Sequence, residues 1–489
     1  MPSLYFAEGI PYVMVMSVSV MMYKNLGVSN TDIAFFTSLL YFPWFLKFLW
    51  GPFIDMFRTK RLWITTMQLI LAVALFGISA SLPVSFYWNL TLIVFALMAF
   101  ASATHDIAAD GFYMLSLDQW QQSAFVGVRS TFYRIATIFG SGVLVVIAGQ
   151  LTGKMGVKGA WSVVFVVTGI IFLLLFLFHK IWLPYPADDR GTLQGKKLNF
   201  KQVFTLAGGF TGVAIVFFIA FKLLRFLLLS AGLHPQWDTI LSTILLVLIV
   251  VVLFRTFVAT FVEKFERSEN KNAVLVPFIE FLKAFVVFMK KKNIWVILGF
   301  LLFYRFAEAQ LVKLVQPFLL DPRSEGGLGL STSQVGIIYG TVGIIALTAG
   351  GLLGGYVISR KGLKWWLWPM VLIMHTPDLA FVYLSQYQPD NFLLINVAVA
   401  LEQFGYGFGF TAYMMFMIMI SQGEHKTAHY AICTGIMALG MMLPGMYSGA
   451  LQESIGYSNF FLWVILSTIP GFIVAALVKI DPQFGKKAR

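Results

Sequence analysis

Two carboxylates interrupt a long apolar stretch of this chain. Asp106 and Asp110 lie four residues apart within 102–113, a segment that otherwise suits a membrane-spanning helix. Residues four apart share one face of a helix. A charged Asp at mid-bilayer costs about 2.5 to 3.5 kcal/mol. We therefore expect this face to border a protein-lined cavity or a polar seam between helices, where transporters keep the groups that bind protons and substrate.

The composition places the chain in a membrane. Hydrophobic residues make up 59% of the 489 residues and charged residues only 12%, whereas soluble domains carry about 25% charged residues. The net charge of +13 comes mostly from short loops between apolar segments, a pattern that sets topology and contacts anionic headgroups. The single cysteine, Cys433, excludes an intrachain disulfide and a cysteine-based metal cluster.

Apolar runs of about 20 residues, enough to cross about 30 Å of hydrocarbon, predict the spanning helices. Six runs in the first half predict helices at Leu4–Tyr23, Asp32–Phe53, Leu62–Leu82, Trp88–Asp110, Ser123–Gln150 and Trp161–Leu183. Six in the last part predict helices at Ile294–Leu320, Gln334–Ile358, Trp365–Leu384, Phe392–Ile420, Ala428–Leu451 and Tyr457–Val478. Two further runs, Leu206–Leu229 and Thr239–Phe261, predict an inserted hairpin, so that about 14 spans are expected.

The predicted spans divide the chain into three parts. A first six-helix bundle covers 1–183, a central connection with the transmembrane hairpin covers 184–293, and a second six-helix bundle with a tail covers 294–489. Basic clusters lie on one side of the membrane, at 58–61, 180–201, 264–292, 360–364 and 486–489. The positive-inside rule places these loops and both termini in the cytoplasm.

The two halves are related in sequence at an offset of about 300 residues. The segment from Tyr5 to Glu8 matches that from Arg305 to Glu308. The matches continue in order, with 27–29 against 329–331 and the basic loop 51–63 against 355–366. Parallel repeats of this kind build the major facilitator fold. We therefore expect an all-α polytopic membrane protein of that fold, with two six-helix bundles and an inserted hairpin.

The loop after the second predicted span resembles the glycine, aspartate and basic cluster found there in major facilitators. Gly51, Asp55, Arg58 and Arg61 carry the pattern. It predicts a cytoplasmic gate in which Asp55 pairs with basic groups or a helix N-terminus in one conformation. The alternative is a loop whose charges only anchor the topology.

Motifs in both halves resemble the AmpG muropeptide permease family, a relative of the acetyl-CoA transporters. They are Lys47-Phe48-Leu49-Trp50-x-Pro52-x-x-Asp55, Ser102-Ala103 with Asp106-Ile107-x-x-Asp110, Tyr133-Arg134 followed by Ser141-Gly142, and Leu401-Glu402 followed by Gly405, Gly407 and Thr411-Ala412. The resemblance implies a permease that imports peptidoglycan fragments, the anhydromuropeptides, across the bacterial inner membrane by symport with protons. Its expected partners are the muropeptide, protons and membrane lipid, with no nucleic acid, and it is expected to be a monomer.

Buried acids are the candidate proton carriers, because burial favours the neutral carboxyl whereas a nearby cation favours the carboxylate. In order of preference they are Asp106, Glu308, Glu402, Glu8 and Asp110. The alternative for each acid is a fixed ion pair within the membrane. Arg305 and Glu308, three residues apart, are the clearest case in which two charges would neutralise each other.

Buried bases are the candidate partners of cargo carboxylates, which Arg binds through two hydrogen bonds. They are Arg134, Arg305, Lys47 and Lys313. Aromatic side chains suit stacking on sugar faces, and the candidates are Tyr133, Tyr12 and Trp44. We expect no cofactor and no metal.

Other functions stay open. A carrier of acetyl-CoA or another small organic anion would use the same fold, with a more basic cavity. A membrane-embedded transferase would have its active site at one membrane face, and a sensor would bind ligand without moving it. The chain has no phosphate-binding glycine loop, zinc-protease motif or nucleophile elbow, so secondary transport is favoured over an enzyme or an ATP-driven pump.

Overall fold

The computed structural model describes residues 1–56, 58–117, 128, 129, 131–186, 189, 230, 276–423 and 425–486. The two predicted hairpin helices lie outside these residues. One compact unit comprises Met1–Ile54, Arg58–Arg190 and Trp295–Arg489. The other comprises Asp55–Phe57 and Gly191–Ile294, and its described part contains the helix Val276–Met289.

The first half of the chain forms six spans. They are α1 (Pro2–Asn25, with a π-helical turn at Met14–Val18), α2 (Asn30–Leu39 and Phe42–Met56), α3 (Lys60–Ser81), α4 (Tyr87–Ser116), α5 (131–155) and α6 (157–182). The chain turns from α5 into α6 at Gly156, whose φ of 70° is a conformation that glycine adopts without strain.

The last part of the chain forms six more. They are α7 (Ile294–Phe303 and Phe306–Leu320), α8 (Thr332–Lys361, with a π-helical turn at Ile338–Gly343), α9 (Leu363–Tyr387), α10 (Phe392–Ser421), α11 (426–455) and α12 (457–477). Gly456, with a φ of 76°, makes the turn that Gly156 makes in the first half. Nine helices in the described ranges, two of them continuous through the turns at Gly156 and Gly456, are long and apolar enough to cross a membrane, and the predicted all-α membrane fold is confirmed.

A matched pair of helix caps explains one of the sequence repeats. Ser29 accepts a hydrogen bond from the backbone N–H of Asp32 at the start of α2. At the start of α8 the Ser331 side chain accepts a hydrogen bond from the backbone N–H of Gln334. The Gln334 side chain accepts one from the backbone N–H of Ser331, and the two bonds form a capping box. Such a cap stabilises a helix by about 1 kcal/mol. The repeated Gly-x-Ser is therefore a helix-starting turn in both halves.

Two spans are broken where the sequence predicts continuous helices. The helix predicted at Asp32–Phe53 is interrupted at residues 40 and 41, just before Pro43, whose ring nitrogen cannot donate a helical hydrogen bond. The helix predicted at Ile294–Leu320 is interrupted at residues 304 and 305. Arg305 there has φ −110° and ψ 19°, outside helical values.

The two halves pack closely at one end of the spans. A Cβ added to Gly340 of α8 would lie 2.0 Å from the carbonyl oxygen of Ser141 in α5. One added to Gly449 of α11 would lie 2.0 Å from the carbonyl oxygen of Asn30 in α2. Small residues allow this approach, as they do at other helix crossings in membranes. Both crossings lie toward the end away from the basic loops.

Candidate functional site

A cluster of acidic and basic side chains, the acid cluster, lies inside the first half. It consists of Glu8 on α1, Lys47 on α2, Asp106 and Asp110 on α4, and Arg129. The Lys47 ammonium lies 2.7 Å from an Asp106 carboxylate oxygen, and the Arg129 guanidinium lies 2.6 Å from one of Asp110. Carboxylate oxygens of all three acids lie within 4.8 Å of one another. The two sequence motifs that carry Lys47 and Asp106 therefore meet in space.

Arg129 is a member of the acid cluster that sequence analysis missed. Its guanidinium lies 4.6 Å from the centre of the Tyr5 ring, a cation–π contact. The Tyr5 hydroxyl in turn donates a 3.4 Å hydrogen bond to Asp110. Arg129 lies within the predicted span Ser123–Gln150, so it could have been chosen as a candidate on the same ground as Lys47, a basic residue within a predicted span.

The acid cluster lies close to the second half of the chain. Tyr430 on α11 lies close enough to Lys47, Arg129 and Asp110 to interact with them electrostatically. The exposed apolar face of α4 carries other residues: Ile93, Leu97 and Phe100. The polar position of Asp106 and Asp110 between helices is therefore the position that their cost in hydrocarbon predicts.

In the second half, Arg305 is buried against aromatic rings. It donates a hydrogen bond to the Tyr406 hydroxyl, and its guanidinium lies 5.0 Å from the Tyr406 ring centre and 4.7 Å from that of Phe410. Its Nε has no hydrogen-bond partner in the described part of the chain. Tyr406 was also missed by sequence analysis, although it stands 300 positions after Asp106 in the repeat.

Glu308 is fully buried beside Arg305, yet the two do not form an ion pair. Neither carboxylate oxygen of Glu308 has a hydrogen-bond partner among the described residues. The alternative in which Arg305 and Glu308 neutralise each other is therefore not what the structure contains. Its premise was a continuous helix, and the break at Arg305 removes the geometry that brings residues three apart into contact.

Two more buried acids lie near Glu308. Glu402 on α10 accepts a 2.9 Å hydrogen bond from Gln403, and it interacts electrostatically with Glu308 and Asp378. Asp378 lies 3.4 Å from His375 in the middle of α9. An acid within the predicted ninth span was a visible signal, and sequence analysis did not use it.

Aromatic candidates connect the two halves. The Tyr12 ring lies 5.3 Å from Trp44 and 6.4 Å from Tyr133, each measured between ring centres. Tyr12 and Arg134 also lie within electrostatic range of Tyr406. The structure therefore brings the predicted cargo-binding residues of the first half next to Arg305 and its partner.

Lys313 is held between the halves. Its ammonium donates a 3.0 Å hydrogen bond to the Thr37 hydroxyl of α2 and lies 5.7 Å from the centre of the Tyr41 ring. Gln316, one turn further along α7, donates a 2.7 Å hydrogen bond to Ser17 of α1. The Lys313 ammonium, a predicted partner of cargo carboxylates, is therefore hydrogen-bonded to the first half in this structure.

A buried polar network, the outer lock, joins the halves at the end away from the basic loops. The Lys24 ammonium lies 2.5 Å from an Asp321 carboxylate oxygen. Tyr457 donates to the other Asp321 oxygen over 2.6 Å. Asn30 donates to Gln452 over 2.7 Å and to Tyr457 over 2.8 Å. No spacing in the sequence links these residues, because they meet only in the tertiary structure.

Arg61 at the predicted gate contacts the end of α6 and the start of the central connection. Arg61 donates a 3.0 Å hydrogen bond from Nε to the carbonyl oxygen of Leu183, and its backbone N–H donates to Asp189. Arg58 is exposed. The side chain of Asp55 lies outside the described residues. The gate therefore stays a prediction.

One groove among the described residues offers few polar groups. It encloses about 700 Å³ between α2 and α4. Its lining is apolar apart from one amide: Phe36, Leu39, Leu40, Phe42, Pro43, Asn89, Leu92, Ile93, Ala96 and Phe100. Polar cargo requires hydrogen-bonding groups, so we place the candidate site at the charged groups between the halves.

Comparisons with known proteins agree with this architecture. The family model described as Major Facilitator Superfamily matches residues 3–319. Among solved structures, the nucleoside transporter NupG superimposes with a TM-score of 0.60 at 15% identity, covering 98% of each chain. A POT family transporter in complex with a thioalcohol-conjugated peptide superimposes with a TM-score of 0.63 at 12% identity, covering 97% of this chain and 94% of that one. At such identities these likenesses show the fold.

Curated relatives carry the name expected from the motifs. The putative transporter AmpG 4 of Rickettsia conorii is 23% identical over 96% of this chain and 92% of its own length. The anhydromuropeptide permease of Escherichia coli strain K12 is 21% identical over 96% of this chain and 77% of its own length. The resemblance to AmpG-type permeases is thus confirmed. Because the family model also matches more than half of the chain, this chain belongs to the Major Facilitator Superfamily and is a multi-pass membrane transporter, not an enzyme.

Proposed function

We propose that this transporter imports anhydromuropeptides across the bacterial inner membrane in symport with protons. The observation that carries the proposal is the pair formed by Arg305 and Glu308. A buried guanidinium with an unbonded Nε lies three residues from a fully buried carboxyl group, and the described residues supply neither oxygen of that carboxyl with a partner. Groups of this kind in membranes mark substrate and proton pathways.

Arg305 has the surroundings of a carboxylate-binding residue. Tyr406 and Phe410 hold its guanidinium in place without neutralising it. Cation–π contacts of this kind leave the charge available for a bidentate bond to an anion. Tyr12, Tyr133 and Trp44 nearby offer ring faces for sugars. A cargo that combines sugar with peptide carboxylates suits both features, and the curated relatives' names support that class.

Glu308 has the surroundings of a proton carrier. A bare carboxylate buried without partners costs several kcal/mol, so the neutral carboxyl is favoured until a cation becomes available. In the mechanism we propose, protonated Glu308 leaves Arg305 free to hold the cargo. When Glu308 loses its proton, it attracts Arg305, and the cargo is released. Proton and cargo would thus bind and leave together.

The other acids rank below Glu308 in this mechanism. Asp106 and Asp110 are each paired with a base, so their charge is already balanced. Glu402 receives only an amide hydrogen bond, and its position near Glu308 suits proton exchange between them. We therefore keep Glu402 as the second candidate.

The outer lock supports alternating access by rocking of the two halves. Lys24, Asp321 and their neighbours close the crevice at the end away from the basic loops. The positive-inside rule assigns the basic loops to the cytoplasm. On that assignment we infer a state that releases cargo inward, and import then requires that the outer lock open.

Uptake into proteoliposomes tests the proposal. Purified transporter is reconstituted, labelled anhydromuropeptide is added outside, and a gradient of one pH unit, acid outside, is imposed or withheld. The gradient is worth about 1.4 kcal/mol per proton, enough for about tenfold accumulation. We expect accumulation that an ionophore abolishes. Uptake that is independent of the gradient would show that transport is not coupled to protons. Uptake of acetyl-CoA in place of the muropeptide would favour a carrier of acetyl-CoA or another small organic anion.

A further inference from the structure

Among the described residues, the acid cluster contains one more acid than bases. Three carboxylates, Glu8, Asp106 and Asp110, face two bases, Lys47 and Arg129. Each base is bound to an aspartate, and Glu8 lies within hydrogen-bond range of Asp106, so an ionised Glu8 would add one negative charge that no described base balances. Glu8 is only 8% exposed, and its Oε2 has no hydrogen-bond partner among the residues that the structure describes. An unmet buried acceptor of this kind favours a cationic ligand.

The one negative charge that ionised Glu8 would add determines how much positive charge a ligand of the cluster should carry. One excess negative charge is neutralised by one monovalent cation. A divalent metal ion would leave the buried cluster with a net positive charge unless it displaced Lys47 or Arg129 from its aspartate. An ammonium group also donates directional hydrogen bonds to carboxylate oxygens that lie within 4.8 Å of one another.

The side chains of the acid cluster are only partly buried. The side chains of Lys47 and Asp106 are 27% and 16% exposed, and those of Arg129 and Asp110 are 33% and 36% exposed. Tyr133 lies within electrostatic range of Glu8 and also contacts Tyr12. A continuous set of aromatic side chains therefore leads from the acid cluster toward Arg305. Two sites of opposite charge lie on opposite halves of the transporter.

We propose that the transporter holds a zwitterionic cargo by both ends: an ammonium group of the cargo binds Glu8 in the acid cluster, and a carboxylate binds Arg305. The inference rests on the proposed function and adds the requirement for a free amino group. Each half of the transporter then binds one charge of the cargo. A cargo that lacks either charge cannot bridge the two halves.

Binding of three synthetic cargos by the purified transporter in nanodiscs tests this inference. The parent is an anhydromuropeptide whose peptide carries one free amino group and one free carboxylate. The second cargo is N-acetylated and the third is amidated. A hydrogen bond to a charged group is worth about 1.5 to 3 kcal/mol, so we expect either modification to weaken binding roughly tenfold to a hundredfold by calorimetry at neutral pH.

Two variants assign the charges to residues. Glu8→Gln should weaken parent binding by the same factor and abolish the preference for the free amine, while the preference for the carboxylate stays. Arg305→Gln should abolish the preference for the free carboxylate, while the preference for the free amine stays. Glu325→Gln, which changes an exposed glutamate, is the matched control and should bind all three cargos as the wild type does. Glu8→Asp keeps the charge and should keep part of the amine preference, if Glu8→Gln does not fold.

The outcomes separate the inference from the function on which it rests. If the wild type binds all three cargos equally, the zwitterion requirement is wrong and muropeptide transport stands. If Glu8→Gln weakens the acetylated cargo as much as the parent, Glu8 serves a proton or a sodium ion and not the cargo. If the wild type binds none of the three, the proposed function fails and the inference falls with it.

Discussion

Glu308→Gln is expected to abolish gradient-driven accumulation of cargo while leaving cargo exchange nearly intact. Gln resembles the protonated carboxyl in size and polarity but cannot release a proton. Arg305 would then hold cargo without a partner to recapture it. In proteoliposomes, accumulation under a gradient of one pH unit should fall from about tenfold to unity. Counterflow, in which labelled cargo outside exchanges for unlabelled cargo inside, should persist because it requires no net proton movement.

The matched control for this experiment is Glu325→Gln, in which the substituted glutamate is exposed. It should accumulate cargo as the wild type does. Full accumulation by the Glu308 variant would show that the proton is carried elsewhere, and Glu402→Gln would be the next variant. Loss of both accumulation and counterflow, in a folded protein, would show that Glu308 is required for binding and not for coupling.

Asp321→Asn is expected to open the outer lock. The carboxylate of Asp321 is 5% exposed and receives the Lys24 ammonium and the Tyr457 hydroxyl. Removing one partner of a buried ion pair costs about 3 to 5 kcal/mol because the other charge stays behind without compensation. The variant should therefore shift the transporter away from the outer-closed arrangement by roughly a hundredfold or more.

Accessibility of an introduced cysteine measures this shift. Ser333 lies at the crossing of α8 with α5, where it contacts Gly149. In a Cys433→Ser background, Ser333→Cys should react slowly with an impermeant maleimide and much faster after Asp321→Asn. Lys24→Asp combined with Asp321→Lys restores a pair of opposite charge and should slow the reaction again. An unchanged rate in Asp321→Asn would show that the outer lock does not set the equilibrium.

The sequence was most informative about features imposed by lipid. Membrane-spanning helices could be located because hydrocarbon demands apolar runs of fixed length. The repeat was visible because both halves use the same local devices, such as the serine caps at Ser29 and Ser331. These features depend on neighbouring residues only, so a local pattern is sufficient to predict them.

The charged contacts were less predictable. Asp106 and Asp110 were placed correctly on one helix face, but their partners Lys47 and Arg129 come from other segments. The sequence left open whether Arg305 and Glu308 neutralise each other, because no Gly or Pro at residues 304 and 305 indicated the break in α7. Partners of buried charges are chosen by tertiary packing.

Proton movement caused by the cargo tests the central claim most directly. Proteoliposomes containing a trapped pH-sensitive dye are prepared with equal pH on both sides, and anhydromuropeptide is added outside. Symport predicts that cargo entry acidifies the lumen in the wild type and that Glu308→Gln abolishes the acidification. Cargo entry into wild-type proteoliposomes with no change in lumenal pH would contradict the account.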